Sequence, residues 1–197
     1  MSIVTLVSGG LDSTVMATLT MEEGLEQFPL FIDYGQINRN RELDACRRNF
    51  RSHKLPEPQV AMLGGYGALL SSGLTDPTKR ILEDAFLPCR NLMFLTVGAA
   101  YAYQCGAKAV GIGLLDDAFS LFPDQTKGFV SNAETLLSRA LGKPIKLVTP
   151  MMSFSKADVL KMAKTMGITG TYSCHAGTEP PCGLCVACRE YKGLEVV

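Results

Sequence analysis

The stretch Ile3-Val4-Thr5-Leu6-Val7-Ser8-Gly9-Gly10-Leu11-Asp12-Ser13-Thr14-Val15-Met16-Ala17 decides the fold. The run Ile3–Val7 has the composition of a buried strand. Two glycines end it, and Thr14, Val15, Met16, Ala17 and Leu19 predict a helix from about Asp12 to Glu22. A strand that passes into a helix through a glycine turn aims several backbone N–H groups at one point. The positive end of the helix dipole faces the same point, which makes it a site for phosphate. Ser8 and Ser13 add hydroxyl donors. Asp12 adds negative charge, so it reads as a helix cap or as a magnesium ligand. A ligand-free turn is the plainer alternative, because glycine accepts positive φ wherever a chain bends sharply. The turn lacks Gly-x-Gly-x-x-Gly, so no dinucleotide fingerprint is present, and it lacks Gly-Lys-Ser/Thr, so it is not a Walker loop.

Outward from this turn, strand-like runs alternate with helical patterns. Pro29–Asp33, Gln59–Leu63, Ala109–Ile112 and Lys146–Thr149 read as strands. Arg41–Arg51, Asn91–Gln104 and Thr126–Leu141 read as helices, and Ser155-x-x-Asp158 is a capping box opening another that runs to Met166. Residues 64–86, rich in Gly, Ser, Thr and Asp, read as a long loop. Continuous apolar strands between helices predict an α/β fold, a parallel sheet doubly wound by helices. Ligands in such sheets bind beyond the carboxyl ends of the strands. Ser8–Ser13, Asp33–Gln36, Gly113–Asp124 and Pro150–Lys156 should meet there. One domain over 1–197 is expected, with 168–197 as a small appended module.

Composition narrows the function. The chain of 197 residues carries 19 Lys plus Arg against 19 Asp plus Glu, a formal net charge of zero. The absence of a basic excess weighs against nucleic acid as a partner. No apolar run approaches the ~20 residues that span a bilayer, and residues 1–25 lack a signal-peptide pattern. A cytoplasmic protein with no membrane partner is the expectation.

Of 7 cysteines, Cys46, Cys89 and Cys105 are scattered, while Cys174, Cys182, Cys185 and Cys188 crowd together. Two Cys-x-x-Cys steps share Cys185, and Gly183 permits a tight turn between ligands. Four thiolates favour structural zinc, having no open coordination position, with an iron–sulfur cluster as the second choice. Redox thiols and His175 as a substitute ligand are weaker readings.

Ser8-Gly-Gly-x-Asp-Ser13 resembles the pyrophosphate loop of the N-type ATP pyrophosphatases, which split ATP into AMP and pyrophosphate. Further segments follow in order: Asp33-Tyr34-Gly35-Gln36, Leu87-Pro88-Cys89-Arg90-Asn91, Phe122-Pro123-Asp124, Ser155-Lys156-Ala157-Asp158, Ser173-Cys174 and Pro181-Cys182-Gly183-x-Cys185-x-x-Cys188. Over nearly the whole chain this pattern is similar to the 7-cyano-7-deazaguanine synthase family, called QueC. The resemblance implies an adenine nucleotide alpha hydrolase-like, Rossmann-like fold with a four-cysteine metal module. It implies an ATP-dependent ligase of the queuosine pathway that adenylates 7-carboxy-7-deazaguanine, or a related small carboxylate, and uses ammonia to form the amide and then the nitrile. ATP, Mg2+ and structural Zn2+ are the implied cofactors. Family members commonly form homodimers.

Site roles follow from the resemblance together with the chemistry of each residue. Val7, Ser8, Gly9, Gly10, Leu11, Asp12, Ser13 and Thr14 should hold ATP, with Asp33, Tyr34, Gln36 and Asn91 bordering its adenine and ribose. Lys156, Arg90 and Asp12 are the catalytic candidates, and Phe119, Phe122 and Asp124 those for the acceptor. Arg90 and Lys156 also fit a surface ion pair and a solvated helix-start lysine, Phe119 and Phe122 ordinary core, and Asp124 a solvated acidic loop. The family usually reads Asp-Tyr-Ser-Gly-Tyr-Pro-Asp-Cys-Arg where residues 118–126 here read Ala-Phe-Ser-Leu-Phe-Pro-Asp-Gln-Thr. That change leaves the acceptor open. The alternatives are a related enzyme with a different acceptor, such as a tRNA-thiolating enzyme, and a nucleotide-binding protein with a changed role.

Overall fold

The computed structural model describes residues 1–81 and 85–194. Five parallel strands form one sheet: β1 (Ser2–Val7), β2 (Glu26–Asp33), β3 (Gln59–Met62), β4 (Ala109–Gly111) and β5 (Lys146–Val148), in the order β3-β2-β1-β4-β5. The helices are α1 (Leu11–Glu22), α2 (Arg39–Ser52), α3 (Gly64–Leu69), α4 (Arg90–Cys105), α5 (Lys127–Leu141), α6 (Lys156–Thr165) and α7 (Val186–Arg189). β1 pairs with β2 on one side and β4 on the other. The chain therefore winds outward from β1 in both directions, and the reversal leaves a crevice beyond the ends of β1 and β4.

Strand alternation buries both faces. Val4, Leu6, Leu30, Ile32 and Val110 point into a core shared with Leu95, Ala99 and Ala102 of α4 and Val130, Ala133 and Leu137 of α5. Val7 and Phe31 point the other way, onto Ala17 of α1 and Leu43, Cys46 and Phe50 of α2. α1 also packs Leu11 and Val15 against Val159, Leu160 and Ala163 of α6. It is buried around most of its circumference because sheet and helix cover it from both sides. Its buried threonines return their hydroxyls to the helix: Thr14 to the Gly10 carbonyl at 2.9 Å, Thr18 to Thr14 at 3.0 Å and Thr20 to Met16 at 2.8 Å.

The expected doubly wound parallel sheet is present, with two corrections of detail. β2 begins at Glu26 rather than Pro29, because Gln27 is buried and joins Thr5 (3.2 Å) to the Ala17 carbonyl (3.0 Å). Pro29 is tolerated inside β2 because the ladder to β3 starts only at Leu30. The stretch 64–86, read as loop, contains α3; its Gly-Gly-Tyr-Gly composition hid a short helix tied by the Tyr66 hydroxyl to the Pro88 carbonyl. Residues 82–84 of that stretch, and 195–197 of the appended module, lie outside the described residues.

Candidate active site

The turn after β1 is built so that only glycine fits its centre. Gly9 has φ +80°, and a Cβ there would stand 2.2 Å from the Glu42 carbonyl oxygen. Gly10 is the N-cap of α1 and offers its first turn no side-chain acceptor, which leaves that turn suited to an anion. Serine hydroxyls brace the loop from within. Ser8 Oγ accepts from Gly10 N at 3.3 Å, and Ser13 Oγ donates to the Gly10 carbonyl at 3.2 Å.

This loop lies on the floor of a cleft of about 240 Å³. Val7, Ser8, Gly10, Asp12 and Ser13 line the cleft, as do Tyr34, Gln36, Arg90, Asn91, Phe122 and Lys156. Gly9, Leu11, Thr14, Asp33, Phe119 and Asp124 stand outside its lining. Asp33 holds the turn after β2 together, pairing with Arg39 Nε at 2.9 Å and accepting from Gly35 N at 3.1 Å. Asp124 caps α4 instead of facing the cleft: its carboxylate accepts from Asn91 N at 3.0 Å, and its carbonyl accepts from Asn91 Nδ2 at 2.9 Å. Phe119 is exposed and lines a small adjoining recess. Phe122 lies against Phe86, with ring centroids 5.2 Å apart.

Asp12 does not cap α1. Both of its oxygens accept from Lys156 Nζ, at 2.9 and 2.8 Å. Lys156 is 7% exposed and reaches Glu190 at 2.9 Å as well. Burial alone would lower its pKa, but Asp12, then Tyr191 and Glu190, outweigh that and hold it above the usual lysine range. The start of α6 thus holds a buried lysine between two carboxylates beside the loop. The capping box that opens α6 fixes its entry, with Ser155 N donating to Asp158 at 3.1 Å.

Several cleft residues escaped the sequence reading. Glu42 lines the cleft beside Gln36, whose Nε2 donates to it at 3.3 Å. Burial pushes its carboxyl up to about 7, although bonds from Gln36 and Asn38 pull the other way. Its signal was helical spacing: Glu42 shares a face of α2 with Cys46 and Asn49, both buried. Tyr34 is buried too, which pushes its phenol up to about 12 against the nearby Arg90 guanidinium. His175, Ser173 and Glu190 also line the cleft. Burial and Arg90 hold His175 neutral, with its pKa down at about 4, and its Nδ1 is buried with no hydrogen-bond partner among the described residues.

The four late cysteines converge. The sulfurs of Cys174, Cys182, Cys185 and Cys188 all lie within 4.8 Å of one another, and Cys182 and Cys188 are 3.9 Å apart. A tetrahedral ion with metal–sulfur bonds of about 2.3 Å needs sulfurs about 3.8 Å apart, so the cage fits a single metal ion. Backbone N–H groups support the sulfurs: Cys182 N donates to Cys174 Sγ at 3.3 Å, and Cys185 N to Cys182 Sγ at 3.4 Å. Burial would raise the Cys174 thiol, yet the Cys182 N–H and the Thr178 hydroxyl hold it down at about 6, favouring a thiolate. His175 is not part of the sulfur group. Among the described residues, no helix is long and apolar enough to cross a membrane.

The family model described as Queuosine biosynthesis protein QueC matches residues 2–195. The chain is similar to a 7-cyano-7-deazaguanine synthase of Acetivibrio thermocellus, 34% identical over 94% of this chain and 88% of that protein. One from Persephonella marina is 32% identical over 96% and 89%, and one from Nitratiruptor sp. 30% over 99% and 94%. Among solved structures, the fold is shared with a predicted tRNA methyltransferase subunit of Methanocaldococcus jannaschii (TM-score 0.60, 16% identity, 84% of this chain and 76% of that one). It is shared also with NMN synthetase of Francisella tularensis (TM-score 0.53, 17% identity, 91% and 68%). A 4-thiouridine synthetase solved with RNA and ATP matches at TM-score 0.52 and 20% identity, over 91% of this chain and 42% of that one.

Proposed function

This chain belongs to the QueC family of queuosine biosynthesis proteins, whose named relatives are enzymes, and on that premise we propose that it is an ATP-dependent carbon–nitrogen ligase. Its acceptor is 7-carboxy-7-deazaguanine or a closely related small carboxylate. A carboxylate is a poor electrophile, and turning one of its oxygens into a bond to AMP makes the carbon reactive. The carboxylate oxygen attacks the α-phosphorus, and the bond to pyrophosphate breaks. Ammonia attacks the acyl adenylate, AMP leaves with the bond electrons, and the spare proton goes to solvent. A second adenylation, on the amide oxygen, lets the amide shed its protons and AMP to give the nitrile.

One observation carries the reading: the Ser8–Ser13 loop, uncapped at α1, opens into the same cleft as Lys156 and Arg90. The loop and helix end suit a leaving pyrophosphate, whose negative charge grows in the transition state. Lys156 is placed to follow that charge, exchanging a carboxylate partner for phosphate. Arg90 offers a fork for phosphate or for the acceptor carboxylate. Tyr34 and Gln36 form the wall for adenine and ribose. Mg2+ would enter with ATP, which supplies oxygen ligands, and Asp12 is the carboxylate that the loop itself presents to the cleft. Zn2+ is the assigned metal of the four cysteines, as a cross-link without a reaction step. Cytoplasmic location and a homodimer are carried over as part of the same proposal.

Gln125 holds the divergent 118–126 segment together. Gln125 Oε1, where the family has cysteine, accepts from Leu121 N at 2.9 Å and Phe122 N at 3.0 Å. Gln125 therefore staples Phe122 at the cleft. The thiolation alternative is not favoured, since that likeness rests on a shared fold at 20% identity. Isotope exchange of pyrophosphate into ATP tests the proposal. Exchange should require the deazaguanine acid, and its absence across a panel of small heterocyclic carboxylates would overturn the reading.

A further inference from the structure

Lys156 receives its two carboxylates from different parts of the molecule. Asp12 belongs to α1, at the loop itself. Glu190 belongs to the cysteine module, directly after α7, which starts at the residue after Cys185 and contains Cys188. Backbone bonds hang this segment on the sulfur cage: Arg189 N to the Cys185 carbonyl at 3.0 Å, Glu190 N to Val186 at 3.3 Å and Tyr191 N to Cys188 at 3.2 Å. The Tyr191 ring also faces Lys156 Nζ, 4.9 Å from the ring centroid, and its hydroxyl lies 3.5 Å from Ser173 Oγ.

The segment around the sulfurs has a small core. Around the sulfurs the buried residues are Cys174, Cys185 and Ala187, so the core of this part of the module consists largely of the metal ligands themselves, while Tyr191 and Leu194 pack outward against the apolar cluster of α1 and α6. A module of this kind takes its order from the bound ion. Other struts tie the module to the body of the fold, such as Tyr172 N to the Gly9 carbonyl of the loop at 3.0 Å and Asn38 Nδ2, at the start of α2, to the Cys174 carbonyl at 3.0 Å. Glu190 is the strut that ends on the ammonium with a charge of its own, beside the Tyr191 ring.

We propose that Glu190 is a positioning residue which ties the cysteine module to Lys156, so that metal held by Cys174, Cys182, Cys185 and Cys188 fixes the lysine ammonium beside the pyrophosphate loop. The proposal rests on the ATP reading only for the consequence of that fixation, a faster release of pyrophosphate. The ammonium's place can be read without ATP.

In ¹⁵N-lysine-labelled, zinc-loaded protein, an ammonium held between two carboxylates exchanges its protons slowly enough to give a distinct NMR signal, assigned by its loss in Lys156→Arg. Chelating the metal from the wild type should abolish that signal, and readdition of zinc should restore it. Glu190→Ala at unchanged zinc content should lose the signal and slow AMP formation about tenfold, with the KM for ATP moved less than threefold. Glu190→Gln keeps an oxygen that can accept from Nζ and should stay within threefold of the wild-type rate. A signal that survives chelation overturns the proposal, and so does Glu190→Ala keeping both signal and rate. Should Glu190→Ala shed its zinc, the chelation arm decides without any substitution. Signals that behave as stated in a protein forming no AMP would sink the ATP reading and leave the positioning role standing.

Discussion

Glu42→Gln removes a strongly shifted carboxyl of the cleft while keeping its shape. Wild-type Glu42 has its carboxyl raised from 4.5 to about 7 by burial. Raised affinity in the folded state means that the protonated form is the one that folding favours. Its contribution is therefore full below pH about 4.5 and is lost as the pH rises through about 7. At about 1.4 kcal/mol per tenfold change in proton affinity, the shift corresponds to about 3 kcal/mol. Glu42 is only partly buried by surface area, which reduces this to about 2 kcal/mol. The glutamine oxygen still accepts from Gln36, so the variant differs mainly in having no proton to lose. Urea unfolding of both zinc-loaded proteins between about pH 5 and 8 should show the wild type losing about 2 kcal/mol relative to Glu42→Gln. Other titrating groups cancel in the difference. A difference that stays flat within about 0.5 kcal/mol across that range refutes the assignment of the shift to this buried carboxyl.

Gly9→Ala places a methyl group against the Glu42 carbonyl in a left-handed backbone; thermal unfolding should show a loss of more than about 2 kcal/mol, and calorimetry a loss of binding to a non-hydrolysable ATP analogue. Asp124→Ala frees the N–H of Asn91 at the start of α4 and should cost about 1 kcal/mol, seen as a lower thermal midpoint and faster amide exchange confined to the first turn of that helix. Cys185→Ser replaces a fully buried sulfur; the purified protein should carry substoichiometric zinc by elemental analysis, and its midpoint should no longer respond to a chelator.

The sheet was legible because its signals are local. Ile3–Val7 followed by Gly9-Gly10 needs no distant residue to be read as strand and turn, and the sulfur cage announced itself by spacing alone. What escaped depends on contacts between distant segments. Asp12 looked like a cap because nothing near it in the chain shows that Lys156, 144 residues away, takes both its oxygens. Asp124 looked like an acceptor-binding group for the same reason, its partner Asn91 lying 33 residues earlier. Glu190 followed the last cysteine and drew no notice, although it reaches the same ammonium. Glu42 was the recoverable omission, since it falls at helical spacing from Cys46 and Asn49, which α2 buries.

The central claim is that this cleft joins ammonia to an adenylated deazaguanine carboxylate. Zinc-loaded protein incubated with ATP, magnesium, ¹⁵N-ammonium and 7-carboxy-7-deazaguanine, followed by high-resolution mass spectrometry, tests it most directly. The account predicts a nitrile carrying one ¹⁵N, with AMP and pyrophosphate released in step. Unchanged acid with no AMP formed, from protein shown to hold its zinc, would contradict it.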